Sequence, residues 1–242
     1  MFDHITLRVP DLAAASSTLA VLLDRLDIEQ TTSTASFSVW GNFALTQADD
    51  EHPIARRVQI AFTAPTTAYV DRFAQTGSGA GFIDVAADGA RPDSIAYAYA
   101  AFLEDQAGNS FGAVYRESAR AKDNIDQLAI RVADLEASAA FYTTIGPTAN
   151  LTLGRRTHDR ASFSVGAHGG TLLLIAGEPT QNLHVAFSGE DDDVRRFHAD
   201  AVAAGYRSNG EPGERPRYHA GYYAAYVFDP DGNNIEIVNH HR

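Results

Sequence analysis

Polar and apolar residues alternate from Phe2 to Val9, the period of a strand with one buried face, and the alternation returns over residues 126–132. After the second of these strands, Asp134 is placed to cap a helix running through Leu135, Ser138, Phe141 and Tyr142, which Gly146-Pro147 would stop. Three short strands are expected next, around 150–153, 161–165 and 171–176, separated by polar or glycine-rich turns. The pattern then restarts. An apolar strand over 183–187 precedes a helix capped by Asp191 or Asp192, with Val194, Phe197, Ala201 and Val202 on one face and Gly205 as its stop. Strands over 222–228 and 234–239 close the pattern, joined by the turn Asp229-Pro230-Asp231-Gly232-Asn233. The order is βαβββ, twice.

The first half of the chain repeats this plan. Ala35-Ser36-Phe37-Ser38-Val39 recurs as Ala161-Ser162-Phe163-Ser164-Val165, and residues 70–114 align without gaps onto 194–238 with 16 identities in 45 positions. The offset drifts between 123 and 126, as single-residue changes in loops would produce. The chain is therefore read as a tandem duplication of two units, 1–118 and 119–242, each with two βαβββ modules, linked by the charged stretch 117–123. The fold class that follows is α+β.

Composition narrows the chemistry. The chain has 242 residues and no cysteine, so disulfides, iron–sulfur clusters and thiolate sites are excluded, and any metal must take N and O ligands. A net charge of −12 argues against nucleic acid as a partner. No apolar run reaches membrane-span length, and the first residues lack the basic region of a signal peptide, so a cytoplasmic protein is expected.

Three residues then stand out in the second unit: Gln127 in its first strand, His184 in the matching strand of the next module, and Glu236 in the last strand. Their separations, 57 and 52 residues, are close to one module each, so pseudo-symmetric modules could bring them to one point. An amide oxygen, an imidazole nitrogen and a carboxylate could hold a divalent cation with positions open for substrate. Taken singly, each has a plainer reading: Gln127 as a strand hydrogen-bonder, His184 as a structural histidine, and Glu236 as the exposed member of an alternating strand. Glu178 is a weaker fourth candidate. In the first unit His4 holds the first position, but Gln59 and Gly112 replace the histidine and the carboxylate, so His4 is read as a relic or a structural histidine. His219 and Tyr223 are candidate catalytic residues, because the segment containing Arg217, Tyr218, His219, Tyr222 and Tyr223 is largely without counterpart in the first unit. The terminal His240 and His241 are expected to fray in solvent.

The segments 126–135, His184-Val185-Ala186-Phe187 and 222–236 together resemble the vicinal oxygen chelate superfamily, which includes glyoxalase I, fosfomycin-resistance transferases, bleomycin-binding proteins and extradiol dioxygenases. The resemblance implies curved, cup-shaped mixed sheets of paired βαβββ modules with a divalent metal (Ni, Co, Mn, Zn or Fe) at the centre. It transfers the family's ligand pattern of His or Gln, then His, then Glu to Gln127, His184 and Glu236. Glutamine in the first place is similar to some glyoxalases and unlike the two-histidine, one-carboxylate iron site of extradiol dioxygenases.

The leading expectation is a metal-dependent enzyme of glyoxalase or lyase type acting on a small metabolite with neighbouring oxygens. A bleomycin-resistance-like, metal-free binding protein for a cationic aromatic compound is the alternative, favoured by the acidic charge and the tyrosines. A catalytically dead paralogue is a third reading. The expected partner is a small molecule, and a homodimer is a candidate assembly.

Overall fold

The computed structural model describes residues 1–80, 82–84, 99–117 and 123–241. Its first module runs β1 (Phe2–Val9), α1 (Leu12–Asp24), β2 (Thr32–Ser33), β3 (Phe37–Trp40) and β4 (Phe43–Gln47). The second contains β5 (Val58–Thr63), α2 (Thr67–Gly79), β6 (Ile83–Asp84), β7 (Tyr99–Glu104) and β8 (Ser110–Tyr115). In the third are β9 (Ile125–Val132), α3 (Leu135–Ala149), β10 (Leu151–Arg156), β11 (Arg160–Val165) and β12 (Thr171–Ala176). The fourth comprises β13 (His184–Ser188), α4 (Asp191–Ala203), β14 (Ser208–Glu214), β15 (Tyr223–Phe228) and β16 (Asn234–Asn239). Most of the linker and the segment aligned with the tyrosine-rich loop, except Tyr99, lie outside the described residues.

Local chemistry explains the element ends, with two departures from expectation. Asp11 and Asp134 cap α1 and α3 by accepting backbone N–H groups of the first turn. Gly146-Pro147 does not stop α3. The helix continues to Ala149 and ends on Asn150, which adopts the left-handed conformation and bonds its N–H to the Gly146 carbonyl. Pro147 has no N–H to give the Thr143 carbonyl, so α3 forgoes one helix hydrogen bond in its last turn. The cap of α4 is Glu190 rather than Asp191 or Asp192, with its backbone N–H bonded to the Asp193 carboxylate.

Within every module the first strand lies parallel to the last. The modules then pair across the duplication. One eight-stranded sheet runs β14-β15-β16-β13-β1-β4-β3-β2 and joins the fourth module to the first through antiparallel β1 and β13. The other runs β10-β11-β12-β9-β5-β8-β7-β6 and joins the third module to the second through antiparallel β5 and β9. Both are open, curved, mixed sheets. Neither coincides with a repeat unit, so the division at 118/119 marks a sequence repeat and not a sheet boundary. The sheets share one hydrophobic core, where Phe43 of the outer-module sheet packs edge-on against Phe62 and Phe111 of the inner-module sheet.

Strand alternation aims the site. Ile5, Leu7 and Val9 of β1 belong to the core, which leaves His4, Thr6 and Arg8 on the concave face. On β15 the same rule sends Tyr223, Ala225 and Val227 to the core side and Ala224 and Tyr226 to the concave side.

Candidate metal centre

The two-fold relation between β1 and β13 brings His4 of the first module beside His184 of the fourth, their rings edge to face at 5.1 Å. Glu236 stands beneath them on β16, fully buried. One ligand atom from each of His4, His184 and Glu236 lies within 4.8 Å of the others, a spacing one divalent cation can bridge. Each carboxylate oxygen of Glu236 has its own neighbour. Oε2 sits 2.7 Å from His184 Nε2 and 3.7 Å from His4 Nε2, while Oε1 accepts the Tyr222 hydroxyl at 2.6 Å. Tyr226, opposite Glu236 across the β15–β16 ladder, directs a buried hydroxyl toward that carboxylate without a well-formed hydrogen bond to it.

The electrostatics follow from this crowding. Burial would raise the Glu236 carboxyl, but the bonds from His184 and Tyr222 and the charge of His4 hold it below its usual range. Burial pulls His184 down and outweighs its bond to Glu236. His4 moves the other way: burial opposes its cationic form, yet the Asp3 hydrogen bond and the Glu236 charge raise it. Both tyrosines are pushed up by burial and by the neighbouring carboxylate, so they remain phenols and can donate.

Behind the donors stands a support layer. Asp3 Oδ1 lies 2.8 Å from His4 Nδ1, the arrangement that leaves Nε2 free to ligate and makes the imidazole a better donor. Asn233 fixes the start of the His184 strand: its side-chain oxygen accepts the Leu183 N–H, and Asp229 in turn accepts its amide. Arg8, on the face of His4, has no side-chain hydrogen bond or ion pair among the described residues, and burial lowers it. Asp49 and Tyr218 partly offset that burial, so the half-buried guanidinium has an acidic neighbour but no direct bond. Sequence reasoning passed over it, although its place four residues after His4 on an alternating strand carried the information.

The inner sheet holds the corresponding positions emptied of ligands. Gln127 pairs with Thr171 and Ala61, Gln59 with Ser110 and Ala129, and Gly112 with Ala61 and Phe102. Phe102 takes the place that Tyr226 has in the outer sheet. Its ring lies where a side chain at Gly112 would begin, 2.2 Å from an added Cβ, so a carboxylate has no room.

Of the residues singled out in sequence, His184 and Glu236 come together and Gln127 does not join them. It lies in the other sheet, 2% exposed, its Nε2 without a partner among the described residues. His4, read as a relic, occupies the place assigned to Gln127. The repeat shows which strands are equivalent but not which edges pair, and here the edges pair across units. His219 lies close by, its ring 5.3 Å from that of Tyr222. Tyr223 faces away: its ring packs on the core side, and Arg195 of α4 donates to its hydroxyl at 3.4 Å. Tyr222 and Tyr226 stand in the cup instead. Glu178 is paired with Arg57 on the surface. His240 is not frayed, since its Nε2 meets Asp3 at 2.9 Å.

Residues 124–237 match the model of the Glyoxalase/Bleomycin resistance protein/Dioxygenase superfamily. Glyoxalase I from Zea mays superposes over 99% of this chain and 92% of its own, with a TM-score of 0.70 and 17% identity. A provisionally named dioxygenase from Bacillus subtilis subsp. subtilis strain 168 superposes over 98% of this chain and 84% of its own, with a TM-score of 0.69 and 14% identity. These likenesses establish the fold. No curated protein matches the sequence. Among the described residues, no helix is long and apolar enough to cross a membrane.

Proposed function

We propose that the chain is a metal-dependent enzyme of the vicinal oxygen chelate type, with His4, His184 and Glu236 as the metal ligands, acting on a small anionic metabolite with neighbouring oxygens. The observation that carries this is the convergence of three N and O donors from the first and fourth modules on one buried point. The donor set fits a divalent cation: two imidazole nitrogens, one buried carboxylate, an acidic support on His4, and a hydroxyl holding the second oxygen of Glu236. By strand register the module-one counterpart of Glu236 is Ala44, since Thr6 pairs with Ala44 as Ala186 pairs with Glu236. Three ligands, with no fourth acidic or histidine donor grouped with them among the described residues, leave positions open. Two histidines and one carboxylate are also the donors with which non-haem iron oxygenases hold Fe(II). Replacing Gln127 by His4 thus removes the objection to iron, and oxygen chemistry joins the isomerase and lyase reactions as a candidate.

A bound divalent metal would supply Lewis-acid polarisation of the substrate's oxygens. The residues supply the rest. Arg8 binds the anionic group of the substrate, and the Tyr226 phenol, beside Glu236 but without a well-formed bond to it, donates to a substrate oxygen. His219 stands at the wall of the cup as an acid–base candidate. The Arg8 guanidinium, only partly offset by Asp49, also weighs against the metal-free alternative, because it disfavours a cationic ligand beside it.

The test is metal content of protein purified without chelator and after reconstitution with Fe(II), Mn, Co, Ni or Zn. One equivalent is expected, lost in His4→Ala, His184→Ala and Glu236→Ala and retained in Gln127→Ala. Absence of metal after reconstitution, or its retention in all three ligand variants, would overturn the proposal. Loss in Gln127→Ala with retention in His4→Ala would move the site to the other sheet.

A further inference from the structure

The concave face of the inner sheet carries two amides with nothing to bond. Gln59 on β5 and Gln127 on β9 make no side-chain hydrogen bond among the described residues, and Nε2 of each is sealed from solvent without a partner. Gln59 stands opposite Ala129 and Gln127 opposite Ala61, so the two amides form a diagonal pair on adjacent antiparallel strands. Residues so placed stand roughly 7–8 Å apart between Cα atoms, and long side chains there can reach a common ligand. A buried amide left unpaired costs a folded chain stability. Two of them side by side are positions that the fold alone does not explain.

A cavity of about 490 Å³ opens beside them, with Gln59 in its wall between Ser110 and Ala129 of the neighbouring strands. Its chemistry narrows the occupant. No histidine or carboxylate groups with the two amides as a metal cluster among the described residues. Two guanidiniums, Arg57 and Arg131, line the cavity together with two carboxylates, Glu104 and Glu178, and Arg57 already pairs with Glu178 at 3.1 Å. That balance favours neither an anion nor a cation. A purely apolar molecule would leave both amides unpaired. What remains is a neutral molecule with two carbonyl acceptors close together. The floor suits a flat one, since the Phe102 ring lies over Gly112 and packs with Ala61 and Val114 into a small apolar cluster.

We propose that the inner cup is a second, metal-free binding site, whose ligand is a neutral planar ring with two carbonyl groups flanking an N–H, the class of cyclic imides and pyrimidinediones. Gln59 and Gln127 donate to the two carbonyl oxygens, an amide oxygen of the same pair accepts the ring N–H, and the ring lies along the apolar floor. The site stands apart from the metal reading, because His4, His184 and Glu236 all belong to the other sheet. It also gives the emptied positions of the inner sheet a use: glutamines in place of ligands exchange a cation for a hydrogen-bonded neutral molecule.

The experiment is a titration of the full-length, metal-free protein with succinimide and with uracil to millimolar concentration, followed by the glutamine side-chain N–H2 signals in 1H–15N correlation spectra. The Gln59 and Gln127 signals are expected to move together and saturate with both probes, and to stay in place with benzoate and with benzylammonium. Gln59→Leu and Gln127→Leu should each weaken binding about tenfold and raise the thermal unfolding midpoint, because each removes an unpaired buried donor. A lower midpoint in either variant would mean that the amide already has a partner, such as buried water, and would overturn the proposal. So would still signals with both imide probes, undiminished binding in the variants, or benzoate binding as well as uracil. Movement confined to the His4 and His184 ring signals would place the probe in the other cup and overturn it equally.

Discussion

At the scale of single residues, the two oxygens of Glu236 divide the labour. Tyr222 holds Oε1, which leaves Oε2 to face the histidines. Tyr222→Phe removes a hydrogen bond to a buried carboxylate and leaves that oxygen unsatisfied. The expected cost is about 1–3 kcal/mol in urea unfolding, with metal affinity falling roughly 10- to 100-fold in chelator competition. Gln127→Ala should leave the affinity unchanged, since that side chain lies in the other sheet. His184 and Glu236 were legible in the sequence because an acid or a histidine in an apolar strand is conspicuous. His4 was equally visible but was discounted, since its own unit lacks the carboxylate. Tyr223 and Tyr222 are adjacent in sequence, and only the point where β15 begins to alternate decides which of them faces the cup.

At the scale of elements, the most specific sequence segment serves the fold. In Asp229-Pro230-Asp231-Gly232-Asn233 the first carboxylate accepts the backbone N–H groups of Asp231 and Asn233, and Asn233 then holds Leu183. The inner sheet builds the same device from Asp105 and Asn109, which holds Val58, although its ligands are gone. Asn233→Ala and Asn109→Ala should each destabilise the chain by about 1–3 kcal/mol, because each leaves a buried N–H unpaired. Only Asn233→Ala should also weaken metal binding, since only that turn fixes a ligand strand. The turn has its own pH dependence. Burial raises the Asp229 carboxyl to about 6 from an ordinary 3.8, against the opposing bonds from Asn233. The folded chain therefore holds this proton more tightly than the unfolded chain. The resulting stabilisation is fully present below pH 3.8 and is lost as pH rises through 6. It amounts to at most about 3 kcal/mol. Chemical denaturation from pH 4 to 7 should show that decline, and Asp229→Asn should flatten it.

For the whole molecule, the duplication was readable from identities at a near-constant offset, but the pairing of modules was not. Edge pairing depends on contacts between strands 63–72 residues apart in one sheet and 178–185 residues apart in the other, and no local pattern records them. The consequence can be measured by expressing 1–118 and 119–242 as separate polypeptides. Each sheet needs one module from either half, so the halves should form a one-to-one complex in size-exclusion chromatography. Metal should bind to the mixture and not to residues 119–242 alone, because His4 belongs to the other half. A fully loaded second half would contradict the cross-paired arrangement. The ring of Phe102 over Gly112 gives the same architecture a historical reading. The cup with Gln59, Gly112 and Gln127 takes one module from each repeat, and the cup with His4, His184 and Glu236 does likewise. Neither half of the gene could therefore specialise alone after duplication. The residues of each cup are drawn from both repeats, so any divergence between the cups is interleaved along the chain rather than divided at its midpoint.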